Sequence, residues 1–185
     1  MGSRIRALRG RHDDGAGDAA DFDALFRSCA GDVHAYAIAM LGDPAAAEDV
    51  TALAFERLYR ARDRVDPRRG TARGLLFTIA RNAALDELRR RARRVPAKED
   101  PELLRDTCAE DALAQVEHRA LVAEALAGLS TRQRELVLLK FHGQLSNGEL
   151  ARVLGTSESN VGTRLHRALT LLRTSCLQLE GGRAA

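Results

Sequence analysis

The residues best equipped to do chemistry in this chain lie between Leu145 and Leu169, in LSNGELARVLGTSESNVGTRLHRAL. Ser159, Asn160, Thr163 and Arg164 offer donors and acceptors that fit the edges of bases, and His166 and Arg167 suit phosphates or a groove wall. One bidentate base contact is worth about 1–3 kcal/mol of discrimination. Arg164 is the best candidate for such a contact, although it lies partly toward the core side, where a phosphate role serves it as well. These residues need a helix to line them up, and the spacing supplies one: Val161, Leu165, Ala168 and Leu172 share one face, leaving Ser159, Thr163, His166 and Arg167 on the other.

The elements that hold this helix are also legible. Ser146 with Glu149 three residues later forms a capping box, and Leu145 and Leu150 stand where a hydrophobic staple joins. Gly155 supplies the turn and Ser157 caps the next helix. The pattern is a helix-turn-helix, shared with ordinary helical hairpins, so its meaning depends on the rest of the chain.

A second concentration of chemistry runs from Arg60 to Arg94. It holds twelve arginines (60, 62, 64, 68, 69, 73, 81, 89, 90, 91, 93 and 94) against Asp63, Asp66, Asp86 and Glu87. Net charge is only +3, so the clustering carries the information: such a patch favours polyanions through counterion release. A solvated helix face is the plain alternative.

Other chemistries find little support. Cys29, Cys108 and Cys176 are far apart and form no Cys-x-x-Cys pair, so no metal is expected, and Cys29 falls on an apolar stripe. The five histidines (12, 34, 118, 142 and 166) do not cluster, and no phosphate-binding glycine loop or nucleophile motif is present. The chain reads as a non-enzyme without cofactor. No run is apolar enough to span a membrane, and the basic start (Arg4, Arg6, Arg9, Arg11) is followed by no apolar segment, so a cytoplasmic location is expected.

Periodicity organises the whole as an all-α protein. Hydrophobic content of 45% with only 4% aromatics means that alanine and leucine, both strong helix formers, do the packing. Residues 1–20 read as a disordered arm. The first domain, 21–94, has three helices: one from Phe22, broken at Gly42-Asp43-Pro44; one from about Ala45 to Arg62; and, after a loop with Pro67 and Gly70, one from about Ala72 to Arg93. Pro96 and Pro101 mark a flexible linker at 95–110. The second domain, 111–177, has a helix through Leu113, Val116, Leu121 and Leu126. A second, capped by Ser130 and Gln133, carries Leu136, Val137, Leu139 and Phe141, and the helix-turn-helix follows. The tail at 178–185 should fray.

From Phe22 to Arg173 the chain resembles a family. FDALFRSCAGDVHAYAIAMLGDPAAAEDV, FERLYRAR, LLFTIARNAALDELRRR and LAGLSTRQRELVLLKFHG, ahead of the helix-turn-helix, are similar to the extracytoplasmic-function (ECF) RNA polymerase sigma factors, which keep only regions 2 and 4. The resemblance implies that the chain binds polymerase core and directs promoter-specific initiation. The first domain, region 2, would recognise and open the −10 element, and the second, region 4, would read the −35 element. Arg68, Arg69, Arg73, Arg81, Asn82, Arg89, Arg90 and Arg93 would then serve the −10 strand, and Ser159, Asn160, Thr163, Arg164, His166 and Arg167 the −35 duplex. Asp49, Leu53, Glu56 and Arg57 would meet the beta and beta-prime subunits of the polymerase.

Two departures from the family pattern stand out. Leu75-Leu76-Phe77 replaces Trp-Leu-Phe, removing a stacking platform worth about 1–3 kcal/mol unless that position is a packing residue. Ala52-Leu53 replaces the Gln-Glu or Gln-Asp of the face toward the polymerase clamp. Proteins of this family are often held by an anti-sigma partner. The terminal Ala184-Ala185 resembles tags read by the ClpXP protease; a chance ending in an alanine-rich chain is the plain alternative. Rival readings are a dimeric helix-turn-helix regulator and a helical adaptor for an acidic partner.

Overall fold

The computed structural model describes residues 15–62, 70–94 and 113–183. Among them there are seven helices and no strand: α1 (Gly15–Leu41), α2 (Pro44–Ala61), α3 (Ala72–Arg94), α4 (Leu113–Ala127), α5 (Thr131–Phe141), α6 (Asn147–Leu154) and α7 (Glu158–Arg183). The all-helical reading holds. Helix α1 already runs at Gly15, inside the segment read as an arm, and α7 continues to Arg183, through most of the tail expected to fray. The linker at 95–110 lies outside the described residues.

Local chemistry sets the helix ends. Asp43 caps α2 by accepting from the Ala46 N–H at 3.2 Å, and Pro44 opens the helix where no N–H is needed. Arg91, near the end of α3, donates to the Leu41 carbonyl at 3.1 Å, to Asp43 at 2.7 Å and to Glu87 at 2.9 Å. One guanidinium therefore ties the end of α1 and the start of α2 to α3. Arg134 closes α4 in the same manner, donating to the carbonyls of Leu126 and Ala127 at 2.9 and 2.8 Å.

Helices α1 to α3 pack around Val33, Tyr36, Ala37, Leu58, Leu76, Phe77 and Ala80, all buried. Helices α4 to α7 pack around Leu129, Leu136, Val137, Leu139, Leu150, Val161 and Ala168. Phe141, expected in this core, instead stands out, 59% exposed, at the end of α5. Phe141 shares a face with the buried Val137 and Leu138, but it is the last residue of α5 and the core ends before it. The two modules are not merely tethered. Leu136, Leu138, Leu139, Leu145 and Leu150 belong to the same continuous apolar cluster as the residues of α1 and α3, and α5 lies on α1 while α6 meets α3.

Candidate nucleic-acid interface

The helix-turn-helix is built as its residues dictate. The Ser146 N–H and hydroxyl both donate to Glu149, at 2.9 and 2.8 Å, and the Glu149 N–H returns to the Ser146 hydroxyl at 3.2 Å. Leu145 and Leu150 are both buried. Gly155 ends α6 at φ +63°, in the left-handed region that glycine adopts without strain. The Thr156 N–H then bonds back to the Ala151 carbonyl at 2.9 Å. Ser157 caps α7, accepting from the Asn160 N–H at 3.2 Å.

On α7, Val161 and Ala168 are buried, while Ser159, Asn160, Thr163, His166 and Arg167 are exposed in one row. Two of these side chains are partly committed locally. The Asn160 amide donates to the Thr156 hydroxyl at 2.7 Å, leaving its carbonyl oxygen outward, and the Thr163 hydroxyl donates to the Ser159 carbonyl at 3.1 Å. Arg164 is half-buried and turns toward the first module.

The arginine run of α3 divides into three kinds. Arg89, Arg90 and Arg93 are exposed, as is Asn82; Arg89 pairs with Asp86 at 2.9 Å and Arg90 with Glu87 at 2.5 Å, one helical turn away. The Arg89–Asp86 pair is exposed on both sides, so it contributes little and exchanges readily for phosphate, whereas Glu87 is mostly covered and is shared with Arg91. Arg91 belongs to the scaffold described above. Arg73 and Arg81 face the second module and are mostly covered, at 23% and 21% exposure. Arg73 donates to Asp32 at 2.5 Å, to the carbonyls of His142 and Gly143 at 2.9 and 2.6 Å, and to the Cys29 sulfur at 3.2 Å. Arg81 Nε stands 2.6 Å from Glu135 Oε1, an ion pair whose N–H does not point squarely at the oxygen. Arg68 and Arg69 lie outside the described residues.

Between α3, α5 and α7 lies a cleft of about 750 Å³ lined by Arg81, Arg89, Arg132, Arg164 and Arg167, with Glu135 as its one acid. Elements far apart in the sequence thus converge as an anion-attracting surface. Sequence reasoning missed Arg132 there; its place in the first turn of a helix capped at Ser130 was the available signal. It also missed Glu135 and Asp32, since nothing local marks a carboxylate that will meet an arginine of another module.

Electrostatics follow from these contacts. Burial pushes the Tyr36 phenol up, and the charge of Glu135 adds to that. Burial holds His142 below its ordinary 6.5 although Asp32 pulls the other way. Desolvation acts to raise Glu149, but the Thr71 hydroxyl and the Ser146 capping bonds outweigh it and hold the carboxyl below its ordinary 4.5.

The other sites read from the sequence are placed as follows. Asp49, Glu56 and Arg57 are exposed on α2, whereas Leu53 is half-buried and packs on the joint core. Leu75, in the position of the absent tryptophan, also packs partly against that core. Cys29 is buried as expected. Among the described residues no group of His, Cys, Asp or Glu could hold a metal, and no helix is long and apolar enough to cross a membrane. Ala184 and Ala185 lie outside the described residues.

A two-module helical protein with a basic track and an outward recognition helix has close counterparts among known proteins. Residues 25–94 match the family model of Sigma-70 region 2, and residues 119–172 that of Sigma-70, region 4. The ECF RNA polymerase sigma factor SigL of Mycobacterium tuberculosis is 33% identical over 165 residues, 89% of this chain and 93% of its own. The RNA polymerase sigma-E factor of Streptomyces coelicolor is 34% identical over 152 residues, 82% of this chain and 78% of its own. The fold matches the sigma factor RpoE from Bartonella quintana, solved in complex with the anti-sigma factor NepR (TM-score 0.69, 23% identity, 84% of this chain and 96% of that one). It also matches CnrH, solved in complex with the cytosolic domain of CnrY (TM-score 0.62, 25% identity, 92% of each). The chain belongs to the ECF RNA polymerase sigma factors. Because both regions match, a stand-alone helix-turn-helix regulator is not favoured.

Proposed function

We propose that this sigma factor joins RNA polymerase core and directs it to promoters, with α1–α3 taking and opening the −10 element and α6–α7 reading the −35 element. The observation that carries the reading is the outward row on α7, from Ser159 to Arg167, set over a buried Val161 and Ala168 in a chain that matches both regions. Ser159, Asn160 and Thr163 contact bases, Arg164 serves a base or a phosphate, and His166 and Arg167 contact phosphates. Asn82 takes an unpaired base while Arg68, Arg69, Arg73, Arg81, Arg89, Arg90 and Arg93 follow the strand. Asp49, Leu53, Glu56 and Arg57 meet the beta and beta-prime subunits. The half-buried Leu75 supports a packing role for that position, so strand opening rests on base capture and the basic track.

The polymerase supplies the chemistry; the sigma factor is not an enzyme. Its place of action is the cytoplasm, where the polymerase is. An anti-sigma partner fits this fold, since RpoE, one of the solved counterparts named above, was captured with the anti-sigma factor NepR. Ala184-Ala185 serves as a signal for ClpXP, and Asp at both positions lengthens the cellular half-life; an unchanged half-life rejects that role. Run-off transcription with purified core and a genomic promoter library tests the main reading. Transcripts dependent on the chain, from templates with separated −35-like and −10-like blocks, are expected. Failure to start synthesis on any template, or to associate with core at moderate salt, overturns it.

A further inference from the structure

Three arginines of the second module have no task inside the fold. Arg132, in the first turn of α5, and Arg164 and Arg167, on α7, meet no carboxylate and make no side-chain hydrogen bond among the described residues, yet all three line the cleft between α3, α5 and α7. Arg132 stands where a cation is least welcome. The start of a helix carries a partial positive charge and favours an acid, and α5 has no acid in its first turn. The N–H groups of Thr131 and Arg132 precede the first helical bonds, which begin at Gln133 and Arg134 on the Ser130 carbonyl, both at 2.9 Å. The cleft runs along this same turn, from Ser130 to Gln133.

The counter-charges in the cleft are already spent. Arg81 holds its Nε 2.6 Å from Glu135 Oε1, both atoms buried and neither in an aligned hydrogen bond. Glu135, 4% exposed, is the one acid among the lining residues and balances that one guanidinium. Arg89, at the rim, is balanced by Asp86. Arg132, Arg164 and Arg167 are left as three positive charges on one cleft. Like charges so gathered repel unless an anion sits among them. The volume of about 750 Å³ is in the range of small-ligand sites, and the leucines 85, 136 and 154 give the cleft an apolar wall beside the charged one.

We propose that this cleft binds a small oligophosphate, a chain of two or more linked phosphates, free or carried by a nucleotide. Arg132, Arg164 and Arg167 hold the phosphate oxygens, each offering paired N–H donors in a fixed fork. The start of α5 adds its unspent N–H groups and the favourable end of its dipole. Arg81 stays with Glu135 and adds no net charge. The ring of a nucleotide lies against Leu85, Leu136 and Leu154. The site goes beyond the promoter reading, because it is filled and measured on the chain without DNA or polymerase.

Isothermal titration calorimetry on the full chain tests this, with sodium tripolyphosphate, ATP and GTP as probes, at physiological salt, where diffuse attraction is screened beyond about 8 Å. Saturable binding of one molecule per chain is expected. Arg132→Ala, at an exposed position, should weaken it about tenfold or more. The charge-matched Arg173→Ala, exposed on α7 outside the cleft, should change it less than about twofold. Tripolyphosphate binding at least as tightly as ATP and GTP identifies the bare chain as the ligand; tighter binding of either nucleotide identifies a ring on the leucine wall, and both results sustain the site. No saturable binding of any probe overturns it. Equal weakening by Arg132→Ala and Arg173→Ala also overturns it, since that marks attraction to the basic surface as a whole. Because Arg164 and Arg167 are also assigned to the −35 duplex, tripolyphosphate should displace a promoter fragment recovered in the run-off screen better than sodium sulfate does at equal ionic strength. Only this last outcome rests on the promoter reading: one-to-one binding without displacement sustains the site and rejects that assignment.

Discussion

Arg91 and Arg89 stand two residues apart in one arginine run, yet the structure gives them opposite tasks, and replacing each separates those tasks. Arg91→Met keeps the aliphatic stem and removes the guanidinium. Lost with it are the bonds to the Leu41 carbonyl, Asp43 and Glu87, at 3.1, 2.7 and 2.9 Å. The Arg91 side chain is 31% exposed, so water takes over part of what is lost. Allowing about 0.5 kcal/mol for each ion pair and about 1 kcal/mol for the covered carbonyl gives a loss of about 2 kcal/mol. For a chain of this size that lowers Tm by about 4–8 °C. Arg89→Ala breaks only a pair with Asp86 in which both side chains are about 70% exposed, so stability should stay within about 0.5 kcal/mol. Its cost falls on DNA: one phosphate contact fewer reduces the slope of log K against log salt by about 0.7 on a single strand. Thermal unfolding and a salt titration of oligonucleotide binding, run on both variants, give the comparison. If Arg91→Met melts with the parent, or Arg89→Ala loses stability and keeps its salt slope, the division of the run into scaffold and track is wrong.

Two glycines give a second contrast. Gly155→Ala meets open space but must hold φ +63°, so it should cost about 1 kcal/mol in urea unfolding. Gly143→Ala places its Cβ 2.4 Å from the Leu139 carbonyl, a backbone atom that cannot step aside, and should cost clearly more. Stability should also fall in two stages on acidification. His142 sits below 6.5 in the fold, so the unfolded chain takes the proton first and stability declines as pH drops beneath that value. His142→Gln should remove this stage. The capping bond from Ala46 holds Asp43 low, the Arg91 hydrogen bond holds Glu87 low, and Glu149 is low as well. Their contribution is complete above their ordinary values of 3.8–4.5 and disappears as pH falls through and below that range. Melting scans across pH 3–8 check both stages; a single acid step shared by the parent and His142→Gln contradicts the assignment to His142.

Much of this was legible in the residues because it is local. The capping box of Ser146 and Glu149, the turn at Gly155, the cap at Ser157 and the break at Asp43-Pro44 are decided within four residues, and each stands where the spacing puts it. The exposed row on α7 follows from the same helical period. What could not be read is which arginines of the run are spoken for. Arg73, Arg81, Arg89 and Arg91 look alike in composition, and their partners Gly143, Glu135, Asp86 and Leu41 lie between three and 70 positions away. Periodicity assigns a face to a side chain but does not say which other helix will cover that face. For the same reason Phe141 was placed in a core that ends before it reaches it.

Arg73 serves a carboxylate, two peptide oxygens and a sulfur from three nitrogens spread across one flat fork. A lysine at this position would keep the charge and fit the space, but its donors radiate from a single atom and cannot reach four acceptors set so far apart. The commonest exchange between basic residues is therefore closed to this site.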